Sequence, residues 1–345
     1  MKCCAEASRA PRARRAWILA LFFAAASGVA AASSARTNGP LETAHRQFDA
    51  GQYEQAAETL RAALEQGPQD AALHHWLARC YFELHDFDRA VSSAERSVEL
   101  DAENSQYHLW LGRAYGRKAE RAGWFSGFSL AKKSRREFEE AVRLNPSNFA
   151  AQHDLIEFYL RAPGIVGGGE DKARQQIEAL AAVDAVEGHL GRGEFWMDKK
   201  KPAQAEQEYR QVLAAKPRRV DPYLEVADFY LKRHDPARME EGLEGASGVD
   251  ASDRRLLYYC GVVRILAGNR LEEAEQCLNT HLSNVPRRSD LPSHAEAHEW
   301  LGRLYERQQK CPEAAAQYRK ALEMNPRSKS AREALRRVQK CPPGK

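Results

Sequence analysis

Gly164, Gly167, Gly168 and Gly169 stand directly before Glu170 and Asp171, a grouping that invites comparison with phosphate-cradling loops. Such a loop needs Lys followed by Ser or Thr after its glycines, and a dinucleotide turn needs a preceding strand. Here an acidic pair follows and a helical pattern precedes. Pro163 ending a helix, with a tight glycine turn behind it, accounts for the segment. His294 and His298 lie four residues apart and share a helix face, as zinc ligands do. A zinc protease reads His-Glu-x-x-His, with its general base beside the first ligand, whereas this chain reads His-Ala-Glu-Ala-His. His74 and His75 point to different sides of a helix, and no third ligand accompanies them. No serine elbow or Cys-His signature is present. The expectation is a chain that is not an enzyme, with no metal, no cofactor and no small-molecule substrate.

Charge excludes another class. The 345 residues carry a formal +4, from 52 basic and 48 acidic side chains. Lys2, Arg9, Arg12, Arg14 and Arg15 against Glu6 supply all of that excess within residues 1–35, so the remainder is neutral. A nucleic-acid binder needs a net basic surface, so none is expected as partner. With 43 % hydrophobic and 29 % charged residues the chain can bury a core. The basic start followed by AWILALFFAAASGVAAA reads as a secretory signal over residues 1–32, with cleavage near Ala30-Ala31-Ala32. Export to the periplasm or beyond follows. The alternative is an uncleaved anchor in the inner membrane, the one case in which a membrane becomes a partner.

Positioning comes from a period. The segment HEWLGRLYERQQKCPEAAAQYRKALEMNP places Leu301, Gly302 and Tyr305 on one helix, then Ala314, Tyr318 and Ala321 on a second, then Pro326. Leu77, Ala78, Tyr81, Ala90 and Ala94 repeat that frame, as do Leu111, Gly112, Tyr115, Phe138, Ala141 and Pro146. This resembles the tetratricopeptide repeat. Units close near Pro68, Ala102, Pro146, Ala185, Pro217, Ala251, Pro286 and Pro326, at spacings of 32 to 44 residues. After a linker at 33–40, the resemblance implies an all-α, right-handed superhelical solenoid of about eight helix pairs over 41–328. A capping helix at 329–341 and a tail at 342–345 complete it. No pair can bury its apolar face alone, so stacking makes one shared core.

Within that frame His298, His74 and His108 take the place of a large packing residue. Three insertions interrupt it. AGWFSGFSLAKK, carrying Trp124, Phe125 and Phe128, and APGIVGGGEDKA both extend inter-helix turns and should lie side by side on one edge. The aromatics are expected to fold onto the glycine turn; the other reading is an exposed patch that docks a partner. RRSDLPSHAE lengthens the link before the last unit. Gly242, Gly245 and Gly248 should make the second helix of the sixth unit the loosest, because a mid-helix Gly costs about 1 kcal/mol relative to Ala. Cys311 and Cys341 fall at neighbouring frame positions and are expected within bridging reach. Cys260 takes the place of a Leu, so a buried thiol is expected there rather than a bridge to Cys277.

The resemblance implies a non-enzymatic scaffold that binds a protein or peptide, with first helices lining a concave groove. The groove positions are His75, Trp76, Arg79, Trp110, Arg113 and Arg117 early, and Asp154, Glu157, Glu194, Asp198, Glu225 and Asp228 in the middle. Tyr258, Tyr259, Trp300 and Arg303 follow late. This describes a basic, aromatic end and an acidic centre. For Trp76 and Trp110, packing against the adjoining helix stays equally open. The Lys–Asn clamp with which some relatives hold a chaperone C-terminus is absent, since its positions hold His75 and Arg79, Leu109 and Arg113, His153 and Glu157. An accessory subunit of an envelope enzyme or transport complex is the alternative role.

Overall fold

The computed structural model describes residues 39–341; the expected leader and the tail at 342–345 lie outside them. Among the described residues there are seventeen α-helices and no strand. The first four pairs are α1 (Pro40–Asp49) with α2 (Tyr53–Gln66), α3 (Ala71–Glu83) with α4 (Phe87–Leu100), α5 (Ser105–Arg121) with α6 (Trp124–Leu144), and α7 (Phe149–Arg161) with α8 (Glu170–Val183). The next four are α9 (Ala185–Asp198) with α10 (Pro202–Ala215), α11 (Val220–Lys232) with α12 (Pro236–Val249), α13 (Arg255–Ala267) with α14 (Leu271–Asn284), and α15 (His294–Arg307) with α16 (Cys311–Met324). A last helix, α17 (Lys329–Val338), packs on α16. Each helix packs chiefly against its neighbours in sequence, which is the all-α repeat solenoid.

Local chemistry sets the boundaries. Asp70, Asp86, Asn104, Asn148, Asp184 and Asp235 each accept a backbone N–H of the helix they open, supplying partners the first turn lacks. The turn inside a pair runs through a left-handed residue: Gly51, His85, Lys200, His234 and Gln309. Inside a pair, the frame's small residue meets the frame's aromatic. A Cβ on Gly302 would lie 2.5 Å from the buried Tyr318 ring, and one on Gly112 would lie 2.6 Å from Phe138. The close crossing therefore requires glycine.

The structure corrects three expectations. AGWFSGFSLAKK is not a loop: with no proline and several good helix formers it lengthens α5 and α6, to 17 and 21 residues. Trp124 and Phe125 stand on that projecting hairpin, 74 % and 88 % exposed, so they do not fold down; Phe128 is half-buried against Trp124. The glycine turn instead packs on α6 through Arg135, and its Val166 is buried. Second, α12 is not slack at its glycines. A Cβ on Gly245 would sit 2.2 Å from the Tyr223 ring and one on Gly242 would sit 3.2 Å from the Tyr223 carbonyl; only Gly248 faces open space. Third, Cys260 is bridged to Cys277, with Cα atoms 6.1 Å apart. Gly261 lets α13 approach α14 closely enough to touch Leu278, and the two cysteines each precede that contact by one residue. Cys311 is bridged to Cys341, and Cys80 is a buried free thiol.

The link before α15 is lengthened as expected, over residues 285–293. It is no simple spacer, because it reaches back to α1, α2 and α3. The link thus ties the seventh pair to the first two.

Candidate functional site

First helices α3, α5 and α7 contribute to one cavity and α11, α13 and α15 to another, and the side chains named from the repeat frame fall into two groups. At the N-terminal end α3 and α5 build an aromatic cluster around one cation. The Arg79 guanidinium lies 4.0 Å from the Trp76 ring, 4.6 Å from Trp110 and 4.9 Å from Phe48. Burial pulls its pKa down to about 10, and its Nε has no hydrogen-bond partner. His75 stacks on Tyr107 at 4.9 Å and is held neutral, its pKa pushed down to about 3 by burial and by the neighbouring Arg79. Trp110 is buried against Phe82, and Trp76 is half-buried against His45 and Phe48. Both tryptophans therefore serve packing first. Arg113 is held by Asp154 through two hydrogen bonds of 2.6 and 3.3 Å, and Arg117 pairs with Glu120. The basic character of this end is mostly consumed internally.

The middle and C-terminal end are different. Glu157, Glu225, Asp228 and Glu296 all have raised carboxyl pKa values, in each case first through loss of water and further through like charges or weak compensation. Glu225 reaches about 7, with Glu194 and Asp228 opposing its ionisation and His153 only partly offsetting them. Asp228 accepts from Tyr259 at 2.9 Å, and Asp198 lies 3.5 Å from Lys199. Burial opposes a charge on His153, but hydrogen bonds to Glu187 and Glu194 win and push its pKa up to about 10. Glu187 itself is buried and also accepts from Arg219 at 2.6 Å.

Tyr258, Tyr259 and Trp300 are buried in the wall, and Arg303 stacks over Trp300 at 4.2 Å while pairing with Glu299. Beside them opens a cavity of about 970 Å³ whose acidic lining includes Asp221, Glu225, Asp228, Glu296 and Glu299. A second cavity of about 900 Å³ runs past Phe82, Trp110, Arg113, Asp154 and Glu157. Ser289 and Asp290 line both. Of the groove residues named from the sequence, Glu225, Asp228, Tyr258, Tyr259, Trp300 and Arg303 line the first cavity and Trp110, Arg113, Arg117, Asp154 and Glu157 line the second. His75, Trp76, Arg79, Glu194 and Asp198 line neither.

Several participants have no signature in the repeat frame. Glu296 and Glu299 sit one helix turn from better-marked positions, and only their acidity in a first helix could have drawn attention to them. Glu83, Asp49 and Tyr53 lie at turns and matter because of a segment more than 200 residues away in sequence. The histidines have internal partners. His294 meets the Val285 carbonyl at 2.8 Å through Nε2 and His298 meets Gln317 at 2.6 Å through Nδ1.

Family models described as tetratricopeptide repeat match residues 47–114, 168–219 and 265–329, together more than half of the chain. No curated protein matches. Similar solved structures include a thermophilic TPR protein of Thermus thermophilus, 21 % identical, covering 56 % of this chain and 97 % of its own at a TM-score of 0.44. A tetratricopeptide repeat protein of Parabacteroides merdae is 16 % identical over 87 % of this chain and 97 % of its own, at 0.46. A monomeric mutant of IFIT1 with Gppp-AAAA is 17 % identical over 87 % of this chain and 71 % of its own, at 0.49.

Proposed function

This chain belongs to the tetratricopeptide repeat family, generally a scaffold for protein–protein interaction, and from that premise we propose that it captures a cationic, extended segment of a partner protein in its acidic concave chamber. One observation carries the reading: carboxylates of the first helices α11 and α15 line this chamber with their pKa values raised. Glu225, Asp228 and Glu296 are charges short of compensation, and an incoming Lys or Arg relieves that cost. Of the cations lining the chamber, Arg255 and Arg303 are already paired with other acids, which leaves Lys232 and Lys329 against Glu225, Asp228 and Glu296. The chamber, near 970 Å³, takes several residues of extended peptide, with Trp300 and the tyrosines as walls.

The role is non-enzymatic on this reading: a scaffold, or an accessory subunit that holds an envelope enzyme or transport complex. The two roles share the same binding physics. Export is part of the proposal. Two disulfides support an oxidising compartment, since such bridges are rare where glutathione keeps thiols reduced. No helix among the described residues is long and apolar enough to cross a membrane. N-terminal sequencing of the mature protein from its native envelope separates cleavage near Ala32 from a retained anchor.

The chamber is tested with defined peptides. Fluorescent decamers of alternating Lys and Leu, or of Glu and Leu, are titrated into the protein at low and high salt. The cationic peptide should bind at least ten-fold tighter. The preference should collapse in Glu225→Gln/Asp228→Asn and weaken as salt rises. Equal binding of the two peptides refutes the assignment.

A further inference from the structure

The segment joining α14 to α15 is bound to the far end of the molecule as a peptide ligand would be. Tyr53 donates its hydroxyl to the Arg287 carbonyl at 2.6 Å. Glu83 accepts from both the backbone N–H of Ser289 (2.9 Å) and its hydroxyl (2.7 Å). Arg288 reaches Asp49 at 3.1 Å and lies over the Phe48 ring at 5.7 Å. Pro286 packs where Gly51 has no side chain, close enough that a Cβ there would lie 2.9 Å away. Main-chain recognition, a hydroxyl read by a carboxylate and a guanidinium read by another carboxylate are the elements of sequence-selective peptide binding.

We propose that the turns of the first two repeats form a binding site for extended segments of the type Pro-Arg-Arg-Ser-Asp. In this proposal the chain's own residues 286–290 occupy that site as a releasable latch. Its contacts lie mostly at the surface. Ser289 and Asp290 are exposed, and the ion pair to Asp49 has an exposed acid. Such contacts are individually weak, and they hold because the tether keeps the segment at an effective concentration of order mM. Because Ser289 and Asp290 line both chambers, the latch also partitions the concave side. Its departure joins the N-terminal aromatic chamber to the acidic one and frees Glu83, Asp49 and Tyr53 for a segment of the same chemistry from another protein. The inference stands apart from which partner the acidic chamber prefers.

The test uses the full chain and a fluorescent peptide copying residues 285–292. It is titrated into the wild type, into Arg288→Ala/Ser289→Ala, and into that variant with Glu83→Gln added. Ser289 is exposed and Arg288 partly buried, and circular dichroism verifies that helix content is kept. The peptide should bind the link variant at least ten-fold tighter than the wild type, because no tethered competitor remains. Adding Glu83→Gln should remove most of that binding. Changing Ser to phosphoserine in the peptide should do the same, since it sets two like charges against each other. Hydrogen exchange of residues 286–291 should rise in the link variant. Equal binding to wild type and link variant, no binding up to about 1 mM, or indifference to Glu83→Gln overturns the proposal.

Discussion

Reducing the Cys311–Cys341 bridge should release the C-terminal cap. Helix α17 buries only Ala331, Ala334 and Val338, and these cover Tyr318, Ala314 and Ala315 of α16. Its ion pair, Arg337 with Glu306, is largely exposed on the arginine side and belongs to a class worth about 0–1 kcal/mol. So little apolar area leaves the cap dependent on its tether. The bridge closes a loop with a sequence separation of 30, and the chain-entropy relation gives about 3.6 kcal/mol for that length at 25 °C. Losing it should lower the local opening free energy of residues 329–338 by about 3 kcal/mol, a rate increase of roughly a hundredfold. Hydrogen exchange with mass spectrometry, before and after reduction and in Cys341→Ser, measures this directly. The buried Cys80 thiol, its pKa pushed up to about 12 first by burial, should resist alkylation in the folded protein and so reports that the core stays closed. Protection of α17 that is unchanged by reduction refutes the reasoning, since packing alone would then be holding the cap.

Other consequences can be checked with the same protein. Glu225 binds its proton more tightly folded than unfolded, so its ionisation costs stability as pH rises from about 4.5 to about 7. Glu225→Gln should therefore gain on the wild type across that window in urea unfolding, and a difference flat with pH would count against the assignment. His153 works in the opposite sense of charge but the same direction. Its imidazolium stabilises the fold fully below about pH 6.5, and that contribution disappears as pH climbs toward 10. His153→Leu removes a charge-assisted bond to buried Glu187, a change of about 1.5–3 kcal/mol near neutral pH that should shrink by pH 10. Gly302→Ala drives a methyl into Tyr318 and should cost about 1–3 kcal/mol, whereas Gly248→Ala enters open space and should stabilise by up to about 1 kcal/mol. Equal effects of the two glycine changes on the denaturation midpoint would contradict the packing described.

The solenoid was legible because its pattern is local. Leu301, Gly302 and Tyr305 followed by Ala314 and Tyr318 specify how one helix crosses the next, and that crossing involves only near neighbours in sequence. The same frame picked out Glu225, Asp228 and Arg303, which line one cavity, and Asp154, which lines another. What each of them does there was not legible. Arg113 is neutralised by Asp154 from the next repeat, and Trp110 packs on Phe82, both consequences of side-chain reach that spacing alone does not describe. The pairing of Cys260 with Cys277 depended on an extra residue between Gly261 and the start of α14, which moved Leu278 rather than Cys277 opposite Gly261.

The sequence by itself determined an all-helical array, its period, its terminal cap and a neutral body behind a basic N-terminal stretch. Those properties arise from periodicities of 3.6 and about 34 residues and from charge counting, all readable one segment at a time. Tertiary structure alone decided that Arg287, Arg288 and Ser289 return to Tyr53, Asp49 and Glu83. Small rotations add from one repeat to the next, and only their total over the whole array carries the seventh link back to the first two repeats. No local stretch of chain encodes that sum.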